Sequence, residues 1–136
     1  MRVNANLSFD GTCEEAFKFY EKVLGGKIAA MFTYGGMPGS DHIPPHMKNR
    51  VMHVTLQVGD TVLMGSDAPM GHQKPQGFSV SVHSKTPDEA DKVFAALSEG
   101  GVVIMPIAET AWTPRFGMLT DRFGTPWMIN CDPAIP

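Results

Sequence analysis

The strand-like segment at residues 51–58, VMHVTLQV, carries the best single candidate for chemistry in this sequence. Its alternation places His53 on the same face as Thr55 and Gln57, opposite an apolar set that should pack under a helix. An imidazole titrates near neutral pH, so His53 is a candidate ligand-binding group or general base. The alternative is that His53 only hydrogen-bonds a neighbouring strand residue.

A second alternating segment, FSVSVHS at residues 78–84, places Ser79, Ser81 and His83 on one face. The two serines are candidate ligand-binding groups on the polar side of that strand. His83 stands at the end of the strand, where a structural role is the simpler interpretation.

The irregular segment ETAWTPRFG at residues 109–117 groups Glu109, Trp112 and Arg115. Binding groups often collect on loops that a rigid scaffold holds, so these three residues are candidates as well. Glu109 and Arg115 could equally pair with each other as a surface salt bridge. Trp112 could be either the wall of a cleft or part of the core.

Residues 34–49, YGGMPGSDHIPPHMKN, predict a long mobile loop because Gly, Pro and polar residues dominate them. Asp41, His42 and His46 invite a metal-site interpretation. The two prolines between the histidines, however, break any helix that would align them. A solvated loop is therefore the expectation.

These candidates lie on elements that occur twice in the chain. Residues 12–28, TCEEAFKFYEKVLGGKI, and 86–103, TPDEADKVFAALSEGGVV, share a capping-box pattern, apolar residues at helical spacing and a closing glycine pair. Thr12 and Thr86 are the expected N-caps. Each predicted helix follows an alternating, strand-like run, at 3–9 and at 78–84.

A second pair of similar segments completes the internal repeat. TVLMGSD at 61–67 and TPWMINCD at 125–132 align Met64 with Met128, and each run follows a turn and a further strand-like segment. Each half therefore reads as strand, helix and three strands. This order predicts an α+β fold in a single domain, 1–136, with module 1 at about 3–68 and module 2 at about 76–133.

Composition and charge exclude several classes of function. The net charge is −3 and no Lys/Arg cluster occurs, which argues against a nucleic-acid or anionic-membrane partner. No run of about 20 apolar residues could span a bilayer. No secretory signal pattern is found, so the cytoplasm is the expected compartment. Cys13 could be a reactive thiol at a helix N-terminus, although a packed side chain is the simpler interpretation.

The doubled strand–helix–three-strand module resembles the vicinal oxygen chelate superfamily, which includes glyoxalase, extradiol dioxygenases and bleomycin-resistance proteins. The resemblance is most specific in NLSFDGTCEEAFKFYEKVLGGK and MPIAETAWTPRFGMLTDRFGTPWMIN, which are similar to the PhnB-like branch. It implies that each βαβββ module curls its sheet into a half-barrel with the helix outside, and that the halves enclose a concave site. It also implies a homodimer.

Metal-dependent members of that superfamily carry a His or Gln on the first strand and a Glu on the last strand of each module. By register, these positions fall near Ala5, Met64, Ser79 and Met128, and neither they nor their immediate neighbours are His, Glu, Asp or Cys. A thioether cannot neutralise a divalent ion as a carboxylate does. We therefore expect no metal and no other cofactor, and we expect both methionine sulfurs to point into an apolar cleft.

Two functions remain open. The first is a metal-free, bleomycin-resistance-like small-molecule binding protein, since methionines line sites that accept apolar ligands. The alternative is a lyase, isomerase or dioxygenase for a small oxygenated substrate, which would use a metal bound elsewhere or His53 as a general base. The expected ligand-binding residues are His53, Met64, Ser79, Ser81, Glu109, Trp112, Arg115 and Met128.

Overall fold

The computed structural model describes residues 1–69 and 71–132. The chain forms two compact units, 1–73 and 74–136, and their boundary falls between the two predicted modules. Each unit consists of a four-stranded sheet with a helix packed on it.

Unit 1 has the predicted strand–helix–three-strand order. It runs β1 (Asn6–Phe9), α1 (Cys13–Leu24), β2 (Lys27–Thr33), β3 (Val51–Val58) and β4 (Thr61–Asp67). The sheet order is β1-β4-β3-β2. Strand β1 is parallel to β4, and the other pairs are antiparallel.

Unit 2 repeats this arrangement with β5 (Val80–Ser84), α2 (Pro87–Ser98), β6 (Val102–Ala108), β7 (Phe116–Thr120) and β8 (Pro126–Cys131). Its sheet order is β5-β8-β7-β6, with β5 parallel to β8. The prediction of an α+β fold built from two βαβββ modules is therefore confirmed.

Aromatic side chains join α1 to its sheet. Phe9, Phe17 and Tyr20 are fully buried, and their rings pack edge to face with centroids 6.0 Å and 5.4 Å apart. Gly65 of β4 lies directly under Phe17, where an added Cβ would come within 2.7 Å of the ring carbon Cζ. The glycine in β4 therefore makes room for the helix.

The core of unit 2 is centred on Trp127 of β8. Its ring is buried on the α2 side of the sheet, and its Nε1 donates a hydrogen bond to Asp121 Oδ2 at 2.8 Å. Gly117 of β7 lies under Phe94 of α2, as Gly65 lies under Phe17. Trp127 is 1% exposed and therefore belongs to the core of unit 2.

The expected glycine cap is found at the end of α1 only. Gly25 is the C-cap of α1 and adopts the left-handed conformation, with φ of 68°. The C-cap of α2 is Glu99 in an extended conformation, and Gly100, with φ of 74°, belongs to the turn that follows, so the prediction of a left-handed cap on α2 was wrong. The second glycine of each pair lies against the backbone of a neighbouring strand. A Cβ on Gly26 would be 2.6 Å from the carbonyl oxygen of Gln57, and one on Gly101 would collide with the carbonyl of Thr120.

Thr12 and Thr86 are the N-cap residues, as predicted, but only Thr86 makes the capping-box bond. Thr86 accepts a hydrogen bond from the backbone N–H of Glu89 at 3.1 Å, as a capping box requires. Thr12 makes no such bond. The carboxylate of Asp67 instead accepts from the N–H of Cys13 at 3.1 Å, so a residue from β4 occupies the space the cap would use.

The segment at 34–49 contains two short 3-10 turns, Ser40–His42 and Pro45–Met47. The backbone N–H of Tyr34 donates to Arg50 O at 3.0 Å, and its phenol donates to Asp67 O at 2.9 Å. Burial and the nearby charge of Asp67 raise the pKa of Tyr34. The loop is thus attached at its base, and its mobility stays a prediction.

In the part of the chain that the structure describes, neither helix is long and apolar enough to cross a membrane.

Candidate functional site

Each sheet has one face covered by its helix and a second face that the helix leaves open. A Cβ added to Gly65 would point toward Phe17 of α1, and one added to Gly117 would point toward Phe94 of α2. Successive residues of a strand point to opposite faces. Met64 therefore lies on the open face of unit 1, and Met128, which follows the buried Trp127, lies on the open face of unit 2. Neither methionine therefore packs beneath a helix, which agrees with the direction predicted for both side chains.

The open face of unit 1 is mixed in polarity. Met64 lies between Asn6 of β1 and Thr55 of β3. His53 and Thr55 share a hydrogen bond of 3.0 Å between Nε2 and Oγ1, whose direction depends on the histidine tautomer. This contact matches the alternative interpretation of His53, a bond to a neighbouring residue of its own strand. Phe32 pairs with His53 from β2 and is 48% exposed.

The open face of unit 2 carries three methionines in line. Met105 pairs with Met118, and Met118 pairs with Met128, so the side chains form a row across β6, β7 and β8. We call these three residues the methionine row. Its fourth neighbour is Ser81 of β5, which pairs with Met128.

A second row lies beside the methionine row. Phe116 of β7 pairs with Asn130 of β8, and Asn130 pairs with His83 of β5. The Asn130 amide donates to Ser81 Oγ at 3.2 Å, and Ser81 Oγ lies 3.2 Å from His83 Nε2. The open face of unit 2 is therefore apolar at one end and rich in hydrogen-bonding groups at the other.

Each unit has a hydrogen-bonded pair of one asparagine and one serine on its open face, and the two residue types exchange strands between the units. In unit 1, Asn6 of β1 donates to Ser66 of β4 at 3.5 Å. In unit 2, Ser81 of β5 accepts from Asn130 of β8. Each pair joins the first and last strands of its module on the open face. Neither asparagine was singled out from the sequence, although alternation within the last strand, applied to TPWMINC, would have placed Asn130 beside Met128.

The structure separates the three residues singled out in the 109–117 segment. Arg115 forms an ion pair with Asp91 of α2, with Nε 3.0 Å from Oδ1, and not with Glu109. The guanidinium is thereby held on the helix side of the sheet, away from the methionine row. Glu109 is exposed. Trp112 is 67% exposed and contacts Phe116 edge to face, with ring centroids 6.0 Å apart.

The neighbours of Met64 and Met128 differ from those expected by register. They are Asn6 and Ser81, whereas Ala5 and Ser79 precede β1 and β5 by one residue. Neither Asn6 nor Ser81 offers an imidazole or a carboxylate. Among residues 1–69 and 71–132, no group of three or more His, Cys, Asp or Glu is placed to hold a metal ion. The donor set around the two methionines does not fit a divalent cation.

Cys13 is a packed residue at the start of α1. Its side chain is fully buried. Burial raises the pKa of the thiol far above its ordinary value, and the negative charges of Asp67 and Glu14 raise it further. A reactive thiolate at this helix N-terminus is therefore not supported.

Comparisons with known proteins agree with this fold. The model of the Glyoxalase/Bleomycin resistance protein/Dioxygenase superfamily matches residues 2–129. Protein YjdN of Escherichia coli K12 is 32% identical, with 96% of this chain and 95% of that protein covered. The crystal structure of protein PA1353 from Pseudomonas aeruginosa is 40% identical and has a TM-score of 0.89, with 97% of this chain and 98% of that chain covered.

A second similar structure comes from Bacillus cereus and is described as a putative 3-demethylubiquinone-9 3-methyltransferase, PhnB protein. It is 26% identical with a TM-score of 0.82, and the match covers 96% of this chain and 99% of that chain. The chain therefore belongs to the glyoxalase, bleomycin resistance protein and dioxygenase superfamily and is similar to PhnB-like proteins.

Proposed function

We propose that this protein binds a small, mainly apolar or aromatic molecule on the open face of unit 2, without a divalent metal at Met64 or Met128. The methionine row carries the proposal: three thioether side chains lie side by side on the sheet face that α2 does not cover.

The side chains of the row suit such a ligand. Methionine is unbranched and polarizable, so it adapts to ligands of different shape and contacts aromatic rings favourably. Met105 is 46% exposed, and Met118 and Met128 are half-buried, so each has apolar surface left to cover. Full burial of a methionine side chain contributes about 1.5–3 kcal/mol.

Polar groups at the β5 end of the same face could orient the ligand. The hydroxyl of Ser81 and the amide of Asn130 lie next to Met128. Binding sites of this kind combine a mainly apolar lining with a few placed hydrogen-bonding groups. A ligand with an aromatic or aliphatic body and one polar end fits this arrangement.

The donor chemistry argues against the metal-dependent alternative at these positions. In each unit taken by itself, the thioether and its polar neighbour, the carboxamide of Asn6 or the hydroxyl of Ser81, supply no negative charge to balance a divalent ion. The remaining alternative uses His53 as a general base, and His53 is engaged with Thr55.

A binding measurement with paired variants tests the proposal. Aromatic small molecules are screened by ligand-observed NMR, and the affinity of one that binds is measured by equilibrium dialysis. Met118→Ala combined with Met128→Ala should weaken binding at least about tenfold, which corresponds to about 1.4 kcal/mol. Met31→Ala is the control, because Met31 pairs with the buried Val54 and so faces α1. Equal affinity in the double variant and the wild type would contradict the proposal.

A further inference from the structure

Three side chains lie next to one another on the open face of unit 2: a hydrogen bond joins the first two, and the third lies at ion-pair distance from the second. Ser81 Oγ lies 3.2 Å from His83 Nε2. His83 Nδ1 lies 3.3 Å from Asp132 Oδ1. A hydroxyl, an imidazole and a carboxylate occur in this order in sites where a base activates a serine nucleophile.

The fold brings these three side chains together. Ser81 and His83 are two residues apart on β5, so both side chains point to the open face. Asp132 directly follows β8, and its backbone N–H donates to Ser84 O at 2.9 Å, which holds its side chain beside β5. The parallel pairing of β5 with β8 is therefore what brings the carboxylate to the imidazole.

The carboxylate also favours one tautomer of His83. Asp132 Oδ1 lies 3.3 Å from Nδ1, and its negative charge favours the proton on that nitrogen. In that tautomer the lone pair of Nε2 faces Ser81 Oγ, and the hydroxyl donates to it. Asn130 Nδ2 donates to the same oxygen at 3.2 Å. Ser81 Oγ thus accepts one hydrogen bond and donates another.

The apolar neighbour indicates the substrate. Met128 pairs with Ser81, and the rest of the methionine row extends from it across β7 and β6. We propose that Ser81, His83 and Asp132 form a nucleophilic relay that cleaves carboxylic esters with an apolar acyl or aryl group. The proposal rests on the binding face proposed above, because the methionine row would hold the apolar part of the ester.

The reaction balances with water as its second substrate. Ser81 Oγ attacks the ester carbonyl carbon, and its proton passes to His83 Nε2. The bond from carbon to the leaving oxygen then breaks, and His83 returns the proton to the departing alcohol. Water attacks the resulting acyl-serine ester with His83 again accepting a proton, and the carboxylic acid leaves as Ser81 regains its hydrogen.

Asn130 helps to position the hydroxyl of Ser81. Its Nδ2 donates to Ser81 Oγ at 3.2 Å and so holds this oxygen beside His83 Nε2. His83 and Asp132 are 58% and 63% exposed, so solvent weakens their interaction, and a modest rate is expected.

Hydrolysis of p-nitrophenyl butyrate by the full chain tests this proposal. Ser81→Ala should lower turnover at least about tenfold, and His83→Gln should have a similar effect, because the nucleophile and its base act as a unit. Brief incubation with the ester should leave a butyryl group on the peptide that contains Ser81, detected by mass spectrometry. Ser66→Ala is the matched control, since Ser66 belongs to the equivalent pair in unit 1 and accepts from Asn6.

Two results would overturn the relay. One is a Ser81→Ala variant that hydrolyses the ester as fast as the wild type, even if His83→Gln loses activity. The other is an acyl group found only on lysine or histidine. Binding of p-nitrophenyl propyl ether, which has no ester carbonyl, tests the methionine row separately. If the ether binds but hydrolysis does not depend on Ser81, only the relay is overturned. If the protein neither binds the ether nor hydrolyses the ester, the proposed binding face is contradicted as well.

Discussion

The carboxylate of Asp67, at the end of β4, accepts a hydrogen bond of 3.1 Å from the backbone N–H of Cys13, the first residue of α1. The same carboxylate accepts from the N–H of Gly11 at 2.8 Å and from that of Val51 at 2.8 Å. One buried side chain therefore joins the start of a helix to the beginning of β3. In unit 2 the corresponding helix is capped locally, by Thr86.

The two helix starts should respond differently to the same substitution. Thr86→Ala removes a cap bond and should lower the free energy of unfolding by about 1 kcal/mol. Thr12→Ala removes no side-chain cap bond and should change it by less than about 0.5 kcal/mol. Chemical denaturation of both variants measures the difference. Equal losses would show that Thr12 caps α1 in solution.

Asp67 should be far more important for stability than an exposed aspartate. Asp67→Ala leaves three backbone N–H groups without their acceptor, and the two buried ones, of Cys13 and Val51, each cost about 1–3 kcal/mol. A loss of at least about 3 kcal/mol is expected. Asp10→Asn is the control, because the ion pair of Asp10 with Arg50 is exposed and is worth less than about 1 kcal/mol. Similar losses for both variants would refute the role of Asp67.

The thiol of Cys13 should be inert in the folded protein. Burial raises its pKa, and Cys131 is also buried, so neither thiol should react with a disulfide reagent until the chain unfolds. The folded state keeps the Cys13 proton when an unfolded thiol, with a pKa of about 8.5, has lost it. Stability should therefore fall as pH rises above that value. Fast labelling of the native protein at neutral pH would contradict this.

The elements of the fold were predicted more completely than its contacts. The segment 51–58 is the strand β3 to the residue, and Gly25 ends α1 as expected. These features depend on local alternation and backbone conformation, which the sequence shows directly. The cap of α1 depends on Asp67, which lies 54 residues beyond Cys13, and no local pattern reveals that contact.

The candidate site shows the same limit. The sheet face to which the Met64 and Met128 side chains point followed from strand alternation. The ion-pair partner of Arg115, in contrast, depended on how α2 lies against β7. The relay of Ser81, His83 and Asp132 also depends on pairing between strands that are distant in sequence. His83 could be seen in the sequence, but the carboxylate beside it could not.

The homodimer implied by the family resemblance is still a prediction, and β6 is the surface on which we expect it to form. Val102, Val103 and Ile104 are all substantially exposed on this edge strand, and no charged residue occurs between Val102 and Ala108. Ile104→Lys should shift the chain toward the monomer in analytical ultracentrifugation. Glu99→Gln, an exposed position just after α2, is the control. A wild-type chain that stays monomeric at micromolar concentration would contradict the expectation.

We expect Met64 and Met128 to hold no divalent ion and the methionine row to bind an apolar ligand instead. NMR of protein with isotope-labelled methionine methyl groups tests this claim most directly, in a titration with Mn²⁺ followed by one with an aromatic ligand. We predict that Mn²⁺ leaves the Met64 and Met128 methyl signals sharp, and that the ligand shifts the signals of Met118 and Met128. Selective broadening of the Met64 or Met128 signal by stoichiometric Mn²⁺, with no shift on ligand addition, would contradict the claim.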